Sequence, residues 1–241
     1  MAGYPSFEAS LAVGRALIAG GAFALEMQIP FSDPSADGPV IEEACRAALA
    51  GGFCAGDAFT LLKMLRNESD IPIFVMSYAS LVVRPGVKNF VQQAQRAGAS
   101  GLIIPDLVPG MDEGLYQTAA DEGCPAVPVL VPWITPERLN AVLAEPIEWV
   151  YAALRSGITG SHTEIGTEQI DFLNRLKAAR SDKDGLRIMA GFGIHSSEQV
   201  RAVCAHADAA IVGSALVRVI AAAGAGGASK AAKMLLRELL D

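Results

Sequence analysis

The sequence predicts an α/β chain of repeated strand–helix units, closed as a TIM (β/α)8 barrel. Three observations predict it. Short apolar runs alternate with helical segments along the whole chain. The runs are continuous in apolar character, as expected of parallel strands covered on both faces. Polar residues and glycines follow nearly every run, at Asp33, Tyr78, Asp106, Gly157, Gly191 and Gly213, and strand ends are where a barrel gathers its site. An open doubly wound sheet is the alternative, and this punctuation favours the barrel. With 241 residues, a single domain over 1–241 is expected.

The elements follow in order. Met1 to Ser6 reads as the tail of a strand running into a turn, and Ser6 caps a helix over 7–19 that Gly20-Gly21 ends. An apolar strand covers 23–29. Pro39, allowed in a first helical turn, opens a helix over 39–50. A helix over 58–67 and a strand over 71–76 come next, then helix 86–97 and strand 100–104. Helix 113–122 leads to strand 126–131, helix 136–143 and strand 148–153. A glycine-rich loop, Ser156 to Gly160, precedes helix 168–179 and strand 187–190. Helix 197–205 and strand 209–212 follow. The end is helical, interrupted near Gly224 to Gly227, with Ser229 as the expected cap of the last helix. That makes seven strand–helix alternations and a remnant strand at the start.

Half the residues are hydrophobic, enough for a large core. A formal net charge of −7 argues against a nucleic-acid surface and leaves room for local anion pockets. Cys45, Cys54, Cys124 and Cys204 are widely spaced, so they read as reduced packing residues of a cytoplasmic protein, not as metal ligands or a disulfide framework. The apolar stretch 17–25 could pass for a signal-peptide core, but it lacks a basic flank apart from Arg15 and is too short to span a membrane, which argues against a signal peptide or anchor there. His162, His195 and His206 show no metal-ligand spacing.

The chemistry concentrates in Leu25 to Pro39. A covered strand rarely carries an ionisable group, because a carboxylate loses its hydration there. Glu26 interrupts such a strand, and Asp33 and Asp37 follow in a loop dense with proline and glycine. Carboxyl groups at a strand end are material for acid–base chemistry. Glu26 reads as catalytic ahead of a salt-bridged strand residue. Asp37 is either a site acid or the cap of the helix at Pro39, and Asp33 reads as an Asx-turn residue. Asp106 is a loop brace or an interface residue, and Tyr78 and Tyr151 are core filler or site walls.

Three glycine clusters end the last strands: Gly157-Ile158-Thr159-Gly160, Gly191-Phe192-Gly193 and Gly213-Ser214-Ala215. Glycine admits close backbone approach, helix N-termini attract anions, and loops after the last barrel strands commonly hold phosphate. Together they predict a neutral phosphate pocket of backbone amides and the Ser214 hydroxyl.

Glu26 to Pro39 resembles the E-x-G-x-P-F-S-D-P-x-A-D-G-P signature of the tryptophan synthase α subunit family. The resemblance continues at Met76 to Ala79, Pro105-Asp106, Arg155 to Gly160, Gly191 to Ile194 and Val212 to Ala215, in order over nearly the whole chain. It implies a TIM barrel that uses no cofactor and cleaves indole-3-glycerol phosphate to indole and glyceraldehyde 3-phosphate, a lyase reaction of tryptophan biosynthesis. It implies Glu26 as the catalytic glutamate and Asp37 as the catalytic aspartate. Ile41, Tyr78 and Tyr151 would flank the indole. Thr159, Gly160, Gly191, Gly193, Gly213 and Ser214 would line the phosphate end, with Ser156 to Gly160 as a closing loop. The implied partner is a tryptophan synthase β subunit in an α2β2 tetramer.

The sequence departs from the family pattern at several positions. Gln28 stands where the family has glycine and is expected to point away from the site, toward the outer face. Ser80 and Leu154 replace a common asparagine and serine, and Asp106 to Met111 differs from the family's Asp-x-Pro segment. The family also has a helix and most of a strand before the position of Met1, so the first strand is expected to be short or truncated. Two other readings follow: a stand-alone lyase releasing free indole, and a weakly active subunit that mainly activates its β partner.

Overall fold

The computed structural model describes residues 1–154, 165–180, 185–191 and 193–241. Helix α1, Phe7–Ala19, is capped by the Ser6 hydroxyl, which accepts from the Ala9 amide at 3.1 Å. Strand β1 is Leu25–Gln28, and helices α2 and α3 are Pro39–Ala50 and Ala55–Arg66. Strand β2, Ile73–Met76, leads through the short helix α4, Ala79–Val83, to α5, Val87–Ala97, and β3, Gly101–Ile103. Helix α6 is Leu115–Asp121, β4 is Val129–Leu130, α7 is Pro136–Leu143 and β5 is Trp149–Ala153. Helix α8, Thr167–Arg180, precedes β6, Arg187–Gly191, and α9, Ser197–Cys204, precedes β7, Ala209–Ala210. Helix α10, Ser214–Leu240, ends the chain.

All strand pairs are parallel and consecutive. The order β1-β2-β3 continues through a parallel bridge between Leu102 and Ala126 to β4-β5-β6-β7. At the other edge, the Ala2 amide donates to the Gln28 carbonyl at 2.9 Å, so the chain start lies beside β1, although residues 1–6 form turns where the sequence suggested a strand tail. This is the α/β arrangement of a TIM barrel. Among the described residues no strand pairing joins β7 to β1. Helices α1 and α10 pack together across that seam through Ala9, Val13, Ile220, Ala228 and Ala232.

The main core lies between the strands and the outer helices. Leu61, Leu62, Ile73, Val75, Leu102, Leu115, Ile188 and Leu173 are all buried within it. Phe90 of α5 is 2% exposed and meets Phe59 of α3 edge-on at 5.6 Å. A second cluster fills the barrel interior: Phe74, Met76, Tyr78, Ile103, Val127, Trp149, Tyr151 and Met189.

The structure also corrects the predicted elements further along the chain. Helix α4 was not expected; it is five residues long and has no side-chain cap bond, so it leaves no local signature. Strands β4 and β7 shrink to two residues each, because pairing with a neighbour, not apolar character, sets a strand's ends. Ser229 caps nothing. The break in α10 is Gly224, with φ 64° and ψ 177°, a conformation glycine tolerates, and the helix resumes before Ser229 is reached.

Phe90→Ala is expected to cost about 3–5 kcal/mol, the usual range for emptying a buried aromatic site. Urea unfolding should show a lower midpoint at an unchanged m-value.

Candidate active site

The site forms at the carboxyl ends of the strands. Residues 26 and 28 point to one face of β1, since side chains alternate along a strand. Both turn inward, into a chamber of about 100 Å³ lined by Glu26, Gln28, Asp37, Ile41, Tyr151, Gly193, Gly213 and Ser214, among others. The chamber thus brings together two carboxylates from the first strand–loop unit and the Gly213-Ser214 turn at the start of α10. A second, larger cavity of about 300 Å³ runs along the seam between β1 and β7. Glu26, Gln28, Ile41, Ile211 and Gly213 border both. The rest of the seam cavity is mostly apolar, with Leu25, Phe74, Leu216 and Leu236 among its walls, whereas the smaller chamber also holds Asp37, Tyr151 and Ser214.

Asp37 is 5% exposed and lies one residue before the α2 N-cap, Gly38, which makes no side-chain cap bond. Its Oδ2 atom accepts from the Tyr78 hydroxyl at 2.7 Å and from the Gln28 side-chain amide at 2.5 Å. Burial raises the Asp37 pKa, and the Tyr78 and Gln28 bonds oppose that rise. The helix-cap reading of Asp37 therefore gives way to that of a held carboxylate. Tyr78 is itself fixed: its oxygen accepts from the Ala36 amide at 3.3 Å, and Phe31 stacks on its ring at 5.4 Å. Burial, then Asp37, raises the Tyr78 pKa, so the phenol stays protonated as a donor.

Glu26 has an accessible side chain that borders both cavities. Its pKa is raised to about 7, first by burial and then by the charge of Asp37, with the Met1 amino group pulling the other way. A carboxyl poised there holds both protonation states near neutrality and can deliver and remove a proton.

Tyr151 is 7% exposed and reaches the chamber from β5. Gly191, at the end of β6, stands behind it; a Cβ there would collide with the Tyr151 hydroxyl. Gly191 thus makes room for the tyrosine and does not line the chamber. Gly193 has φ 88° and lines it. Gly213 and Ser214 sit at the N-terminus of α10, whose first turn carries no acidic residue, a setting that favours an anion.

Other expected positions lie apart. Asp33 is exposed and pairs with the Ser32 hydroxyl at 2.5 Å. Asp106 braces a loop by accepting from the Ala79 amide at 2.9 Å. Thr159, Gly160, His162 and the closing loop at 156–160 fall outside the described residues. Gln28 corrects the sequence expectation: it faces the chamber, not the outer surface. The signal was available, because Gln28 lies two residues from Glu26 and shares its face.

The tryptophan synthase alpha chain family model matches residues 1–239. The tryptophan synthase alpha chain of Leifsonia xyli subsp. xyli is 37% identical over 238 residues, spanning 98% of this chain and 89% of that protein. Among solved structures, the tryptophan synthase α-subunit of Pyrococcus furiosus superposes with a TM-score of 0.88 at 32% identity, covering 99% of this chain and 94% of the other. The aminoacrylate-bound tryptophan synthase of M. tuberculosis gives a TM-score of 0.85 at 31% identity, with 99% and 88% coverage.

The raised Glu26 pKa carries a stability cost with a defined sign. The folded state holds the Glu26 proton more tightly than the unfolded chain, so this contribution to stability is present below the ordinary glutamate pKa of 4.5 and is lost as pH rises through about 7. Glu26→Gln should therefore be more stable than the parent at pH 8, with the difference closing toward pH 5. Denaturant midpoints at the two pH values check it.

Proposed function

The chain belongs to the tryptophan synthase alpha chain family and is a lyase that cleaves indole-3-glycerol phosphate in tryptophan biosynthesis; on that premise we propose that Glu26 and Asp37 carry the cleavage. The observation that carries this reading is that both carboxylates border the same chamber as Gly213 and Ser214.

The reaction is a retro-aldol cleavage. Indole is a poor carbon leaving group until its C3 atom is protonated. Protonated Glu26 delivers that proton, which places positive charge on the ring system. Asp37 accepts the indole N–H and stabilises the charge as it develops. The carboxylate left at Glu26 then takes the proton from the hydroxyl on the side-chain carbon bonded to C3. The carbon–carbon bond breaks, its electrons restore the indole, and the hydroxyl carbon becomes the aldehyde of glyceraldehyde 3-phosphate. Glu26 ends protonated, ready for the next turnover. Its pKa of about 7 suits a group that must act in both directions.

Ile41 and Tyr151 are apolar walls for the indole, and Tyr78 acts by holding Asp37. Gly193, Gly213 and Ser214 receive the phosphate, with Gly191 behind Tyr151, and Thr159 and Gly160 belong to the same proposal. No cofactor enters these steps.

Family members work with a β subunit. We extend this to an α2β2 assembly whose contact surface includes the loops after β3 and β4. The support is exposed apolar surface there: Met111 is 75% and Trp133 is 58% exposed. A cytoplasmic setting belongs to the same proposal, supported by four unpaired cysteines, two of them buried.

Glu26→Gln should lower indole release by at least about a thousandfold, and Asp37→Asn by about a hundredfold or more, the scale of lost acid–base and charge-stabilising groups. Steady-state indole production from indole-3-glycerol phosphate checks both. Parent-like turnover in Glu26→Gln would sink the mechanism. In a separate test, Met111→Ser/Trp133→Ser should weaken co-elution with a β subunit about tenfold or more while leaving isolated turnover unchanged, since central apolar contacts dominate interface energies. Undiminished co-elution would remove these loops from the interface.

A further inference from the structure

Gln28 contributes a polar side chain to a wall that the mechanism above does not use. It is 7% exposed, lies on β1 two residues from Glu26, and borders both cavities. Its Nε2 atom donates to Asp37 Oδ2 at 2.5 Å, the same oxygen that takes the Tyr78 hydroxyl at 2.7 Å. Gln28 is on a strand, whereas Asp37 is in the loop that follows it. We propose that Gln28 is a positioning residue for the cleavage: its amide ties the Asp37 loop to β1 and saturates Oδ2, so that Oδ1 is the atom offered to the indole N–H. This rests on the role assigned to Asp37 above.

The physical argument has two parts. A lone carboxylate in a loop rotates freely about its terminal torsion, whose well is broad. Two donors from different elements on one oxygen remove that freedom and fix which oxygen faces substrate. Second, a buried carboxylate stays ionised only when donors replace its lost hydration. Tyr78 and Gln28 are those donors, and a charged Asp37 is what the positive ring requires.

Glycine, the family's residue at this position, supplies neither donor nor tether. The other titratable groups acting on this cluster are Glu26, the Met1 amino group, Glu42 and Cys45 of α2, Tyr78 and Tyr151. None is altered by substituting Gln28, so they form a constant background.

The test compares the parent, Gln28→Leu and Gln28→Asn. Leucine keeps similar bulk without a donor. Asparagine keeps the amide one methylene short of Asp37. Two measurements are made: kcat and KM for indole-3-glycerol phosphate from pH 5 to 9, and carbon NMR titration of the labelled Asp37 carboxyl. For Gln28→Leu, kcat should fall about tenfold with KM within about threefold, and the acidic limb of the kcat profile and the Asp37 titration should both move up by about one pH unit, the scale of one lost bond to a charged group. Gln28→Asn should shift the same way. If Gln28→Leu fails to fold, Gln28→Asn alone decides.

A folded variant whose kcat profile and Asp37 titration superpose on the parent overturns the proposal. So does a uniform drop in kcat at all pH values with the Asp37 titration unmoved, which is the signature of a purely structural residue. Asp37→Asn, run alongside, separates the two levels. Parent-like turnover there overturns the catalytic reading of Asp37, whereas impaired Asp37→Asn beside parent-like Gln28→Leu overturns only the role of Gln28.

Discussion

The site depends on how one mostly buried carboxylate is held. Asp37 is 5% exposed and is gripped between Gln28 of β1 and Tyr78, whose ring stacks on Phe31. Burial favours the protonated form of such a group. The two hydrogen bonds to Oδ2 oppose that and tie the loop between Phe31 and Gly38 to β1 and Tyr78. Tyr78 follows the end of β2, and Asp106 anchors the turn after it at the Ala79 amide. One carboxylate oxygen therefore links β1, the loop after it and the end of β2.

The same carboxylate bears on Glu26. Both carboxylates border one small chamber. Burial first, then the charge of Asp37, raises the Glu26 pKa to about 7, and the Met1 amino group opposes that rise. At Asp37 the Tyr78 and Gln28 hydrogen bonds oppose the effect of burial, and the proposed division of roles between the two groups rests on that difference.

Much of this was legible in the chain. The stretch from Glu26 to Pro39 announced the carboxylates, the glycines after the last strands marked turns that border the chamber at Gly193 and Gly213, and the alternation of apolar runs with helices announced the α/β barrel fold. What stayed hidden depended on distant partners. That Asp37 is held rather than capping α2 required Tyr78, far along the sequence, to arrive from β2. That Gly191 yields space to Tyr151 is a fact of strand register between β5 and β6. The inward direction of Gln28 was in principle readable from the two-residue period of β1, but the family's glycine at that position offered no side chain to compare. The short helix α4 and the two-residue strands β4 and β7 are products of packing and pairing, and local composition does not encode them.

The seam between β7 and β1 has a consequence of a different kind. The cavity of about 300 Å³ beside Leu25, Ala209 and Leu236 is partly open, with Phe23 and Leu240 of its wall exposed. Its mostly apolar lining keeps hydrated apolar surface next to Glu26. Burying such surface lowers heat capacity, so any apolar group that settles along this seam would register as a negative heat-capacity change in titration calorimetry.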